Sequence, residues 1–287
     1  MVLERLVTST QLEHKPSLIL GISFIFVSMA ILLSIYVFRS NSGLVTVLLT
    51  VFPAIPFFLN LLRREEHLHE ILQLRKQKHK IWVIYRPLIE TYFLFFVGVA
   101  LSVAFWASFL PQPVSDTIFS NQKAELASMR ILTLGLTIGA PTFMELFTHN
   151  MGVLALMFIF SFVYGMGSIF LLAWNASILG VFIEANVRSY MHKTAQFGLF
   201  AFPLAFIAGS TIGLLSVALH GMFEITAFFL SSVSGGMLSM AISHHQFGRP
   251  GFHDIMKDAM KVMFVAVVFL AIAALIESLY GPLSLAG

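Results

Sequence analysis

FGLFAFPLAFIAGSTIGLLSVALHGMFEITAFFLSSVSGGMLSMAI, residues 197–242, carries two ionisable side chains, His220 and Glu224. The rest is apolar, small or hydroxyl-bearing. A membrane-spanning helix needs about 20 mostly apolar residues. The run is therefore long enough for two spans, Phe197–Leu219 and Met222–Ile242, joined at His220-Gly221 with no polar loop between them. An ionisable pair where hydrocarbon is expected marks a functional-site candidate.

The composition supports a lipid-embedded chain. Of 287 residues, 58% are hydrophobic and 11% charged, against about 25% charged in soluble domains. A globular core of this length does not absorb so much apolar surface. The net charge of +3 does not point to nucleic acid, because the basic residues cluster at expected membrane edges. There is no cysteine, which excludes disulfides, thiolate metal sites and a cysteine nucleophile. Residues 1–17 are polar and lack the features of a signal peptide, so the first apolar run is expected to remain as a span.

Seven stretches qualify as spans: Leu18–Phe38, Leu44–Leu62, Leu88–Leu110, Met151–Trp174, Phe197–Leu219, Met222–Ile242 and Val262–Tyr280. The expected fold is all-α, a polytopic helical bundle forming a single membrane domain over 1–287. Residues 1–86 give two spans and a basic cytoplasmic loop, and 87–287 give the helical core. With the N-terminus inside, fourteen basic residues, Arg188 and Lys193 among them, fall on the cytoplasmic side. Arg39, Lys123 and Arg130 fall outside. This bias predicts a cytoplasmic N-terminus and an outer C-terminus in a cell membrane. The run 64–75 predicts an amphipathic helix on the inner leaflet. Ile131–Phe147, short and interrupted by Gly135, Gly139 and Pro141, predicts a re-entrant or interfacial segment before the fourth span. Pro53 and Pro56 predict a kink in the second span. Gly209-x-x-x-Gly213, Gly165 with Gly167, and Gly235-Gly236 mark close helix approach, and a homodimer through these glycine-rich spans.

Glu145-x-x-x-His149 and His220-x-x-x-Glu224 carry the candidate chemistry. In a helix each pair shares one face, one turn apart. Two imidazoles and two carboxylates meeting between spans would suit zinc or another divalent transition metal. Such a site serves proton movement or metal-dependent hydrolysis. The competing reading is capping: His220 as an N-cap with Glu224 in the first turn, and His149-Asn150 likewise for the fourth span. Asn150 and Asn175 add a further polar candidate. Trp174–Gly180 reads as a helix break followed by a tucked-in segment. His244, His245, His253 and Asp254 read as a solvated loop, His67 and His69 as exposed, and Glu90, Glu184 and Glu277 as interfacial acids. No catalytic serine arrangement, phosphate loop or nucleotide fingerprint is present.

His149-Asn150 entering a span, Gly165 and Gly167, Asn175 to Gly180, His220-Gly221-x-x-Glu224 and Gly235-Gly236 together resemble the stage II sporulation protein M family. The resemblance covers roughly residues 90–280. The family usually has Asn-Gly at Asn175-Ala176 and Pro-His-Gly at Leu219-His220-Gly221. The resemblance implies a polytopic membrane protein. In spore formers the family member works in the engulfment machinery beside cell-wall-degrading partners. Many members come from organisms that do not sporulate, so sporulation does not carry over to this chain. Three functions follow as expectations. The first is a non-enzymatic membrane component or assembly partner of a membrane or cell-envelope protein. The second is a transporter or channel for a small solute or ion with a His/Glu site. The third is an intramembrane metal-dependent hydrolase.

Overall fold

A computed structural model describes residues 17–37, 42–61, 63, 81–133, 142–164, 167–243 and 252–284. Those residues are almost all helical, with no strand among them. The helices are α1 (Leu18–Val37), α2 (Ser42–Val51), α3 (Ile81–Phe109), α4 (Gln112–Ile118), α5 (Ser120–Thr133), α6 (Phe143–Tyr164), α7 (Ser168–Thr194), α8 (Ala201–Ser243) and α9 (Phe252–Ser284). A short 3-10 turn, Ala195–Phe200, joins α7 to α8. Six stretches are long and apolar enough to cross a membrane, and one of them, Ser168–Ser239, holds both α7 and α8. Taken apart at the turn, these give seven candidate crossings among the described residues.

The seven are not the seven expected. Phe197–Leu219 and Met222–Ile242 are one helix, the 43-residue α8, unbroken through His220-Gly221. The expected fourth span, Met151–Trp174, is two pieces: α6 ends at Tyr164 and α7 starts at Ser168. The break expected at Trp174–Gly180 is absent, since α7 runs through it. Hydropathy alone cannot place these joints. Abutting apolar runs read alike whether the chain turns or continues. The turn lies at Gly198, whose φ of 57° is left-handed backbone that glycine adopts without cost. The kink in the second span does occur: α2 stops at Val51, a turn covers 52–54, and helix resumes at Ile55. The amphipathic stretch at 64–75 lies outside the described residues, as does the middle of the expected re-entrant segment. The two ends of that segment belong to α5 and α6.

Small residues set the helix contacts. Gly209 of α8 abuts α7 so closely that a Cβ there would sit 2.5 Å from the Val187 Cα. Gly213 faces Ile183 one turn on, so α7 and α8 run antiparallel. Gly180 of α7 meets the Ala100 carbonyl of α3, leaving 2.7 Å to a Cβ. Gly235 of α8 lies against the Phe158 carbonyl and Ser161 of α6. These faces are filled from within the chain. The homodimer expected through the glycine-rich spans has no such face left at Gly209, Gly213 or Gly235.

Serines join the same seams. Ser231 donates to the Leu154 carbonyl of α6 at 2.8 Å, and Ser234 to the Ala259 carbonyl of α9 at 2.8 Å. From Ala227 to Met237 every residue of α8 is buried, enclosed by α6, α9 and α3. Phe229 stacks on Tyr92, which stacks on Phe58.

One end of the bundle is tied by charge. Glu184 of α7 is 4% exposed. It pairs with Arg188 one turn on, and with Lys123 of α5 at 3.4 Å. Lys123 also pairs with Asp116 at 2.7 Å. Arg188 donates onward to the Ala107 carbonyl at 2.6 Å, near the end of α3, where backbone acceptors lack helical donors. Arg188 and Lys123, expected on opposite sides of the membrane, therefore lie at the same end. The partition of basic residues has to be redrawn accordingly.

Two outcomes follow for thermal unfolding in detergent. Gly209→Ala forces a Cβ into the α7 backbone and should cost about 1–3 kcal/mol, while Gly221→Ala, whose Cβ meets only Val217 at 3.9 Å, should leave stability level or raise it. Arg188→Ala leaves the buried Glu184 carboxylate with Lys123 alone and should cost about 1–3 kcal/mol, whereas Arg86→Ala, which breaks the exposed Arg86–Glu90 pair, should change little.

Candidate functional site

α8 is apolar, small or hydroxyl-bearing over its length except at one turn. His220 and Glu224 are its only ionisable residues, one turn apart on one face and half-buried. The helix is continuous here, so His220 is neither a loop residue nor an N-cap. Both expectations for this segment are corrected: there is no helix end to cap. Gly221, between them, is buried, yet space beside its Cα is open. It is not a contact point for another helix, unlike Gly209 and Gly235.

The opposing surface is α9. Phe223 meets Phe269 with ring centroids 5.6 Å apart. Glu277, half-buried on α9, lies close enough to Glu224 for the two charges to interact. Neither His220, Glu224 nor Glu277 makes a hydrogen bond or ion pair among the described residues. Three ionisable groups thus share one α8–α9 seam. The sequence signal for Glu277 was present: it is the single charged side chain after Lys261. Assigning it to an interface hid its relation to Glu224.

The α6 half of the expected quartet faces elsewhere. Asn150, Leu154, Met157 and Ser161 form the buried stripe of α6. Glu145 and His149 lie on the opposite stripe, with Leu156, Ile159 and Val163, all exposed. The contacts of Ser231 with Leu154 and of Gly235 with Phe158 show α6 and α8 running parallel and in step. Carried back along both helices, that register sets Glu145 and His149 level with His220 and Glu224, but on the outer side of α6. Among the described residues no three His, Asp or Glu side chains are grouped to hold a metal ion. Shared height is what the spacing implied; shared direction is what it did not contain.

Glu145 has a different task. The Thr142 backbone N–H donates to its carboxylate at 2.8 Å, and the Glu145 N–H donates to the Thr142 hydroxyl at 3.3 Å. This is a reciprocal capping box at the start of α6. Capping holds for this end, through Thr142 and Glu145, rather than through His149-Asn150. Asn175 donates to the Leu171 carbonyl of its own helix at 2.8 Å. Asn150 is buried on α6, and no hydrogen bond joins the two asparagines. His253 and Asp254 are exposed in the first turn of α9. His67, His69, His244 and His245 lie outside the described residues. A cavity of about 10 Å³ between α2, α3, α5 and α7, lined by Thr46, Thr50, Gln122 and Ser177 among others, has room for about one water and not for a solute.

The seam can do two things chemically. Half-buried, unpaired polar groups on a membrane helix can bond a partner helix, or two neighbouring carboxyl groups can hold and pass a proton.

Comparison with known proteins adds one match. No curated protein and no solved structure matches the chain. The family model described as stage II sporulation protein M matches residues 91–282, more than half of the 287. The matched segment begins inside α3 and ends inside α9. It contains Asn150, Asn175, His220-Gly221-x-x-Glu224 and Glu277, and leaves α1 and α2 outside. Apolar helices of spanning length and this match together make the protein a membrane protein, and the chain belongs to the stage II sporulation protein M family.

Proposed function

We propose that the protein is a non-enzymatic membrane component that assembles with another membrane protein. In this reading the His220–Glu224–Glu277 seam receives a hydrogen-bonding or basic side chain from the partner's transmembrane helix. The observation that carries it is that these groups are half-buried and make no hydrogen bond or ion pair among the described residues. In lipid such groups gain from a partner helix that supplies one. Leu219 and Met222, both exposed, flank the seam and give an incoming helix an apolar footing. The glycine faces already serve packing inside the chain, which leaves this seam as the polar face of α8. A cytoplasmic N-terminus and outer C-terminus belong to the same proposal, supported by the basic residues of the 63–86 connection.

A second reading has its own support. Glu224 and Glu277 lie within each other's electrostatic reach, an arrangement suited to binding one proton or small cation during transport. The hydrolase reading, by contrast, needed a His/Glu metal set, and none is grouped among the described residues.

A photo-crosslinking amino acid at Met222, activated in native membranes, tests the first reading. The expected result is one dominant protein adduct. It should fall at least about tenfold in a Glu224→Ala background, the loss of about 1.4 kcal/mol or more of contact, and persist in a Glu145→Ala background. An adduct indifferent to Glu224 overturns the assembly reading. Proton flux in vesicles holding the purified chain, abolished by Glu224→Gln, would establish the second reading in its place.

A further inference from the structure

The cavity between α2, α3, α5 and α7 has an unanswered polar atom in its wall. Gln122 of α5 lines it and is fully buried. The Gln122 Nε2 donates to the Gly43 carbonyl of α2 at 3.0 Å. Its Oε1 makes no hydrogen bond among the described residues. Turning the amide over would set that oxygen against the Gly43 carbonyl, acceptor against acceptor, so Oε1 is the end left over. The close approach is built into the chain: a Cβ on Gly43 would lie 2.8 Å from this oxygen, and glycine leaves the space for it. Buried amide oxygens ordinarily have a donor, from protein or from an ordered water.

The rest of the polar lining narrows the choice of donor. Thr46, Thr50 and Ser177 also line the cavity. Each hydroxyl has one proton, and each already has an acceptor for it. Thr46 reaches the Ser42 carbonyl at 2.7 Å, Thr50 the Thr46 carbonyl at 2.8 Å and Ser177 the Trp174 carbonyl at 2.7 Å. What these groups still offer is lone pairs. The complement of an acceptor-only lining is a small donor, and a volume of about 10 Å³ limits it to the size of one water. A metal cation of that size is disfavoured, because no Asp or Glu lines the cavity among the described residues and burying an unpaired charge is costly.

We infer that the cavity binds one water molecule, which donates one proton to Gln122 Oε1 and the other to a hydroxyl lone pair across the space. The site has a place in the architecture. α2 lies outside the segment that matches the family, whereas α5, α7 and the lining residues of α3, Val99 and Val103, lie inside it. The water is therefore a polar joint between the N-terminal helices and the family core. It works beside two direct bonds, from Ser42 to the Thr117 carbonyl and from Gln122 to the Gly43 carbonyl.

Radiolytic hydroxyl-radical labelling of the full chain in detergent detects such a water, because radicals made from it attack the nearest side chain. Phe119 and Phe58 are both 0% exposed, and of the two Phe119 lines the cavity. The expected result is labelling of Phe119 several-fold faster than of Phe58, lost in Val99→Ile, which puts a methylene into the space. Labelling of Phe119 no faster than of Phe58 overturns the inference, and this arm needs no variant to fold. Thermal unfolding gives a second reading. Val99→Ile should lower Tm by about 2–4 °C, by displacing the water and leaving Oε1 without a donor. In a Gln122→Met background, which has no such oxygen, the same change should leave Tm level or raise it. A rise in the wild-type background means a dry cavity that gains from being filled, and an equal fall in both backgrounds means overpacking; either overturns the inference. A Tm that climbs with sodium chloride but not with choline chloride gives the cavity to a cation and overturns it as well.

Discussion

The closeness of α8 to its neighbours is the constraint on which the bundle depends. In lipid there is no hydrophobic drive between apolar helices, so contact has to come from shape and from bonds. α8 supplies both. Gly209 admits α7, and Gly235 admits the α6 backbone. Ser231 and Ser234 then bond carbonyl groups on α6 and α9, which only this spacing brings into reach. Larger residues at the glycines would push the neighbours out and leave those hydroxyls with no interhelical acceptor. The aromatic column of Phe58, Tyr92 and Phe229 fills what remains on the α3 side.

Membrane class and all-helical fold were legible in composition and run length. The joints were not. Hydropathy measures what a segment is made of, not whether the chain continues or reverses. His220-Gly221 looked like a turn because it is polar and contains glycine. The actual reversal is at Gly198, where Phe197, Leu199 and Phe200 disguise it as span interior. One expected pair fused and one expected span split, so the number of candidate crossings came out the same for the wrong reasons. The small-residue contacts were read correctly as sites of close approach, at Gly209, Gly213 and Gly235, although their partners proved to be α7 and α6 of the same chain.

The candidate site shows the same division. The i,i+4 spacing put His220 beside Glu224 and Glu145 beside His149, and both pairings hold along their helices. Which side of α6 faces inward is decided by Leu154, Met157 and Ser161 packing, and an apolar helix carries little contrast by which to read that from sequence. Glu145 went to a capping box with Thr142 because the start of α6 needs its N–H groups satisfied. Glu277 came to the site from a helix far away in sequence. His220–Glu224 is better described as the polar changeover within one helix. Ahead of it α8 shows a stripe to lipid; from Ala227 to Met237 it is wrapped by protein.

That changeover bears on hydrophobic mismatch. A 43-residue apolar helix is about 64 Å long, twice what a bilayer accommodates upright. Its second half is sheathed by α6 and α9, which carry exposed apolar stripes of their own. The helices beside α8 are shorter than it: α6 has 22 residues, about 33 Å, and lies along the second half, while α7 packs on the first at Gly209 and Gly213. A helix of that length meets the bilayer through neighbours staggered along it, so its mismatch is absorbed by the tilt and offset of the bundle rather than by lipid alone.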